Sequence, residues 1–124
     1  MVTTYHNLTS LDNVYLEDSY VYSIDENTDS VVFNTLLVLE KDHPLYTPPK
    51  PNKQHCYKKA QIVFSNPESI TWEDKNFQPR LDDDGETDIG NIYAFIKRND
   101  GYFVEGDFGS VKIKSSKVDL FFDD

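Results

Sequence analysis

Apolar and polar positions in this chain alternate with a period of two far more often than they recur at helical spacing. Tyr20, Tyr22 and Ile24 fall on one face of a segment rich in β-branched and aromatic residues. Val31 to Leu39 is apolar on both faces, with Val31, Phe33, Leu37 and Leu39 on one and Val32, Leu36 and Val38 on the other. That pattern predicts a central strand covered on both sides. Ile62 and Phe64 alternate, and Ile70 and Trp72 alternate again beyond the break at Ser65-Asn66-Pro67. Ile92, Ala94 and Ile96 share a face opposite Tyr93 and Phe95. Asn99-Asp100-Gly101 predicts a turn, because glycine adopts positive φ without steric cost, and Tyr102 to Val104 returns as the hairpin partner. Val111 and Ile113 alternate with Lys112 and Lys114, and Val118, Leu120 and Phe122 make a last short strand.

No window of twelve residues keeps apolar groups at i, i+3, i+4 and i+7; only residues 5–13 have room for one helical turn, with Thr9 or Ser10 as its cap. The predicted fold is all-β: a single domain over residues 1–124, an antiparallel meander of seven to nine short strands closed into a barrel-like roll or stacked as a sandwich. Two long connections interrupt it. Residues 41–54 contain Pro44, Pro48, Pro49 and Pro51, and proline lacks the donor a ladder needs, so this segment should be extended and unpaired. Residues 73–90 carry an acidic run, Asp82-Asp83-Asp84-Gly85-Glu86-Thr87-Asp88, and read as a second long loop.

Charge sharpens this picture. The chain holds 22 acids and 12 Lys or Arg, a net charge of −10. Residues 1–40 have a net charge of −7, residues 41–60 of +4, residues 61–90 of −6 and residues 91–124 of −1. Two acidic blocks flank a basic, proline-rich one. The phosphate backbone of a nucleic acid needs a basic footprint, so no nucleic-acid partner is expected. Lys41, Lys50, Lys53, Lys58 and Lys59 are read as charges that keep a sheet edge from unwanted pairing. The longest aliphatic run, Leu36 to Leu39, is far short of the ~20 apolar residues of a membrane helix. The first six residues have neither the basic nor the apolar region of a secretory signal, and the one cysteine, Cys56, has no partner for an internal disulfide, so a cytoplasmic protein is expected.

Each constellation that could carry chemistry fails on residue type or spacing. An EF-hand register with Gly85 at position 6 puts Arg80 at position 1 and Asn91 at position 12, which leaves only a loose cation site at Asp82, Asp84 and Glu86. A glycosidase pair drawn from Glu17, Asp18, Glu105 and Asp107 lacks any defined separation. His6, His43 and His55 have no metal-ligand spacing, and no Gly-x-Ser-x-Gly occurs. The reading is therefore a non-enzyme without cofactor. Gly90, Gly106 and Gly109 are assigned to turns or close backbone approaches, and Asp88 and Asp107 to accepting backbone hydrogen bonds there.

Four short motifs carry a resemblance. They are Leu16-Glu17-Asp18-Ser19-Tyr20-Val21, His43-Pro44-Leu45-Tyr46-x-Pro48-Pro49, Asp88-Ile89-Gly90-Asn91-Ile92 and Glu105-Gly106-Asp107-Phe108-Gly109. In this order, across residues 14–122, they resemble a family of small bacterial all-β proteins of mostly unassigned function, similar to the immunity proteins that accompany toxins, including those of contact-dependent growth inhibition. The resemblance implies a protein partner and assigns no catalytic residue. Acidity favours a basic partner, and tyrosine supplies contact area with few torsions to freeze. The expected contact residues are Glu17, Asp18, Tyr20, Tyr22, Asp25 and Glu26 in the first acidic block and Asp82, Asp83, Asp84, Glu86 and Asp88 in the second. The expected function is an immunity protein, a monomer or weak dimer, that occludes the active site of a basic toxin such as a nuclease. A small-ligand-binding β-barrel and an accessory β domain are the alternatives.

Overall fold

The computed structural model describes residues 3–4, 11–51, 55–81 and 85–123. Its elements are β1 (Thr3–Thr4), β2 (Val14–Glu26), β3 (Ser30–Leu39), β4 (Cys56–Ser65), β5 (Ser69–Lys75), β6 (Arg80–Leu81), β7 (Thr87–Asp88), β8 (Ile92–Arg98), β9 (Gly101–Gly106), β10 (Gly109–Lys114) and β11 (Lys117–Phe122). Every pairing is antiparallel. The fold is all-β as expected, but β2, β3 and β4, with 13, 10 and 10 residues, are longer than the short strands the pattern suggested. Among the described residues no helix is long and apolar enough to cross a membrane. The helical turn expected within residues 5–13 lies outside the described residues at 5–10, and residues 11–13 turn directly into β2.

Two sheets face each other, in strand order β1-β8-β9-β10-β5 and β11-β4-β3-β2, and β6 and β7 pair as a separate short ribbon. Period-two burial makes the interior. Val31, Phe33, Thr35, Leu37 and Leu39 of β3 point in, as do Cys56, Ala60, Ile62 and Phe64 of β4. Phe33 meets Phe64 and Phe108 edge-on at 5.6 and 5.9 Å between ring centroids, and Phe64 stacks on Phe95 at 5.6 Å. Aromatic rings thus fill the space between the sheets, the arrangement of an open sandwich.

Alternation in β2 and β8 does not run through. Between Tyr15 and Tyr20 the register of β2 against β3 slips, and it slips again between Val21 and Ser23. Tyr20 therefore lies opposite Leu36 on the outer face, whereas Ile24 lies opposite Phe33 and packs against the core. The expectation that Tyr20, Tyr22 and Ile24 share one face is corrected by this bulge, because one inserted residue reverses every side chain beyond it. In β8 the slip between Ile92 and Ala94 places Ile92 and Phe95 inside and leaves Tyr93 55% exposed, so the expected Ile92-Ala94-Ile96 face is broken in the same way.

The bulge of β2 does structural work. It carries β2 toward the other sheet, where Tyr20 bridges Asn91, Val21 N donates to Gly90 O at 2.8 Å and Ile89 N donates to Val21 O at 2.8 Å. Ser19 is buried in the bulge; its Oγ donates to Tyr15 O at 2.7 Å and accepts from Val38 N at 2.8 Å. A hydroxyl thus replaces the backbone partner that the slipped register removes. Asn91 Nδ2 donates to Ser19 O at 2.6 Å, Asn91 N donates to Asp107 Oδ2 at 2.9 Å, and Gly90 N donates to Asp88 Oδ1 at 2.9 Å. A Cβ on Gly90, whose φ is +106°, would run into the Asp107 side chain. The assignment of Asp88 and Asp107 to backbone hydrogen bonds agrees with this geometry.

The connections divide. Residues 41–51 form no strand and turn through hydrogen bonds from His43 N to Glu40 O and from Tyr46 N to His43 O, at 2.9 and 3.0 Å. The segment 73–90 is not one loop: β5 extends to Lys75, and Arg80–Leu81 pairs with Thr87–Asp88. Local hydrophobic periodicity could not announce that ribbon, because an ion pair from Arg80 to Asp107 at 3.3 Å and the Asp88 turn hold it to its neighbours.

Ser19→Ala removes both hydrogen bonds of the Ser19 hydroxyl and leaves the Val38 N–H buried without a partner. A loss of about 1–3 kcal/mol is expected. It should be read as a lower urea midpoint at unchanged m-value; an unchanged midpoint would show that the bulge does not depend on the hydroxyl.

Candidate functional site

The outer face of the β11-β4-β3-β2 sheet gathers five of the eleven expected contact residues, Asp18, Tyr20, Tyr22, Asp25 and Glu86, on it or at its rim. Cross-strand registers lay it out in rows. Tyr15, Val38 and Tyr57 form the first, Tyr20, Leu36 and Lys59 the second, and Ser23, Asn34, Gln61 and Phe121 the third. Asp25, Val32, Val63 and Asp119 form the fourth. The second and third rows are stiffened by polar contacts. Asn34 Nδ2 donates to Ser23 Oγ and Asp25 Oδ2, both at 2.9 Å, Gln61 Nε2 donates to Asn34 Oδ1 at 3.0 Å, and Lys59 lies 5.7 Å above the Tyr22 ring. Tyr20 and Tyr57 lie 6.3 Å apart, and His55 meets Tyr57 edge-on at 5.8 Å.

Acidic groups rim this face. Asp18 lies in the bulge, 3.2 Å from His55 Nε2 and half exposed. Glu86 comes from the second acidic block and reaches Lys59 at 2.8 Å, so tertiary structure joins the two blocks beside the tyrosines. Glu26 points away, toward Lys75 at 3.6 Å. The phenol of Tyr57 is held above its ordinary pKa, first by burial and then by Tyr20 and Asp18 nearby, so it stays a neutral hydrogen-bond donor. Strand charges divide between the sheets: β2, β3, β4 and β11 together hold five acids and three bases, whereas β5, β8, β9 and β10 hold five bases and three acids.

The face ends in a cleft of about 310 Å³, roofed by Tyr46 and Pro49 of the proline-rich connection and floored by Tyr15, Val38, His55 and Cys56. Thr47 N donates to Cys56 Sγ at 3.4 Å, which ties the roof to the start of β4. His43 supports the same connection: its ring meets Phe122 edge-on at 5.2 Å and its Nδ1 accepts from Leu45 N at 3.0 Å.

Sequence reasoning placed Glu17, Asp18, Tyr20, Tyr22 and Asp25 along one strand, and the structure keeps Asp18, Tyr20, Tyr22 and Asp25 on or beside one face, with Glu17 in the bulge between Tyr15 and Tyr20. Asp88 does not join them: it is 6% exposed, with its carboxylate turned to Gly90 N. Asp82, Asp83 and Asp84 lie outside the described residues. Missing from the expectation were His55, Tyr57, Leu36 and Phe121, while Val38 in the first row is buried. The signal for Tyr57 was present, since Tyr57, Lys59, Gln61 and Val63 alternate with the inward Ile62 and Phe64. Among the described residues no group of three or more His, Cys, Asp or Glu side chains gathers as a metal site.

Burial lowers the pKa of His43, with Asp12 partly opposing the shift. The unfolded chain therefore takes up a proton before the folded one does, and stability falls as pH drops through the unfolded value of about 6.5. Above that pH the effect vanishes. An NMR titration should place His43 below 6.5, and His43→Asn should flatten stability between about pH 7.5 and 5.5; an equally steep variant would remove His43 as the cause. Compared with protein-family models, with curated proteins and with solved structures, the chain matches none.

Proposed function

We propose that this protein is an acidic protein-binding module of the immunity type, which neutralises a basic toxin by laying the outer face of the β11-β4-β3-β2 sheet over a cationic active-site cleft. The observation that carries the reading is one surface on which Tyr15, Tyr20, Tyr22 and Tyr57 stand together inside a rim of Asp18, Asp25 and Glu86. Tyrosine anchors in a mostly apolar patch and charges at the rim are the usual division of labour in an interface. Ten-residue strands at ~3.3 Å per residue, four strands wide at ~4.8 Å spacing, span roughly 500–600 Å² in projection. That is of the order of the ~800 Å² each partner buries in a standard complex. Rim carboxylates would speed encounter with a basic partner, and the tyrosines would hold it.

A second reading, a small-ligand binder, is favoured by the cleft under Tyr46 and Pro49. Its volume is at the lower end of ligand sites, and its walls are mainly aromatic and aliphatic.

The test is capture of a basic bacterial protein on the immobilised domain, with variants as the readout. Tyr20→Ala and Tyr57→Ala should each weaken the complex by about 2 kcal/mol or more, mainly through faster dissociation. Asp18→Asn with Glu86→Gln should slow association and flatten its salt dependence. Retention that ignores all four substitutions would overturn this use of the face.

A further inference from the structure

We propose a second site on the opposite sheet: a notch beside the β8–β9 turn that binds a small phosphate monoester bearing hydroxyl groups. It does not depend on the partner-binding reading, and lies on a different sheet.

Two adjacent rows of the outer face of β8, β9, β10 and β5 build it. In one, Ile96, Phe103, Lys112 and Thr71 stand side by side; in the next come Arg98, Gly101, Lys114 and Ser69. Gly101 lines the notch between Arg98 and Lys114, and its lack of a Cβ lets β9 start close against the Ile113 carbonyl and Lys114 Cα. The resulting cavity is about 200 Å³ and is lined by Ser69, Thr71, Arg98, Asp100, Lys112 and Lys114 among others.

Three cations and two hydroxyls on one small concavity form a donor set for an oxyanion. Arg98 is already oriented, with its guanidinium 4.7 Å above the Phe103 ring, and a planar fork held in this way suits two phosphate oxygens. Lys112 and Lys114 rest against Glu73 at 3.7 Å and Glu68 at 3.1 Å, with the side chains in both pairs at least half exposed. Exposed pairs of this kind are worth at most about 1 kcal/mol, so an incoming dianion displaces them cheaply. The net charge of −10 opposes binding at long range, but salt screens it beyond about 10 Å; at the notch Arg98, Lys112 and Lys114 stand against Asp100 and the displaceable Glu73 and Glu68, so binding rests on directed contacts rather than on a local excess of positive charge.

Asp100 sets the class. A carboxylate on the wall repels a bare anion and accepts a hydrogen bond from a hydroxyl, so a phosphate monoester carrying neighbouring hydroxyls fits better than sulfate. A polynucleotide does not fit, because its run of phosphates meets the acidic remainder of the surface.

The experiment is an amide NMR titration of the full chain with glycerol 3-phosphate, inorganic phosphate and sulfate at fixed ionic strength. Saturable shifts confined to residues 69–71, 98–101 and 112–114 are expected, with glycerol 3-phosphate tighter than sulfate. Arg98→Gln should weaken binding about tenfold or more, the loss of a charge-assisted hydrogen bond. Lys112→Gln should weaken it less, and Asp100→Asn should narrow the preference over sulfate. The spectra themselves report whether each variant is folded. Shifts that grow linearly without saturating, that spread over lysines elsewhere, or that persist in both Arg98→Gln and Lys112→Gln would overturn the site.

Discussion

The architecture depends on satisfying the backbone of β2 where it leaves its own sheet. A strand that slips register against β3 exposes donors and acceptors that burial makes costly. Ser19 answers this within the bulge, by accepting from Val38 N and donating to Tyr15 O, and Asn91 answers it from the other sheet, by donating to Ser19 O. Asp107 and Asp88 then accept from the Asn91 and Gly90 amides, while Gly90 leaves room for the Asp107 side chain. Three of the four short motifs in the chain meet at this junction, at Leu16–Val21, Asp88–Ile92 and Glu105–Gly109. The carboxylates of Asp88 and Asp107 are spent on backbone amides there, while Asp18 faces His55 and Glu105 accepts from Ser110 Oγ.

The junction also shapes the surface. By turning β2 across the sandwich it sets Tyr20 and Tyr22 on the outer face while Val21 goes inside, and it presents Asp18 beside His55. Across the molecule, the other sheet carries the excess of bases on its strands and a notch lined by Arg98, Gly101 and Lys114. An overall charge of −10 therefore conceals two faces of unlike chemistry, one aromatic with an acidic rim and one polar with a basic cluster.

Much of the fold was legible because an antiparallel strand with one buried face leaves a period-two record. The β3 and β4 cores, the turn at Asn99–Gly101 and the pairing of β8 with β9 all follow from alternation and one glycine. The candidate face was legible only along β2. Its other members come from β3, β4 and β11, and registers between strands distant in sequence decide which outward residues become neighbours. Glu86 shows this most directly: it lies 27 residues from Lys59 in sequence and 2.8 Å from it in space.

By itself, then, the chain's pattern determined an antiparallel all-β domain, the inward residues of its regular strands and the roles of Asp88 and Asp107 at turns, because period-two burial and turn chemistry are local. Tertiary structure alone decided where alternation breaks. A bulge is stabilised by its partners, here Ser19 with Val38 and Asn91, and moves every later side chain to the opposite face without changing the composition of the strand. It also decided that Asp88 is buried and Asp18 exposed, and that Arg98 and Lys114 face each other across Gly101. Those outcomes follow from which strands pair and in which register, and a strand's own sequence does not record its neighbours.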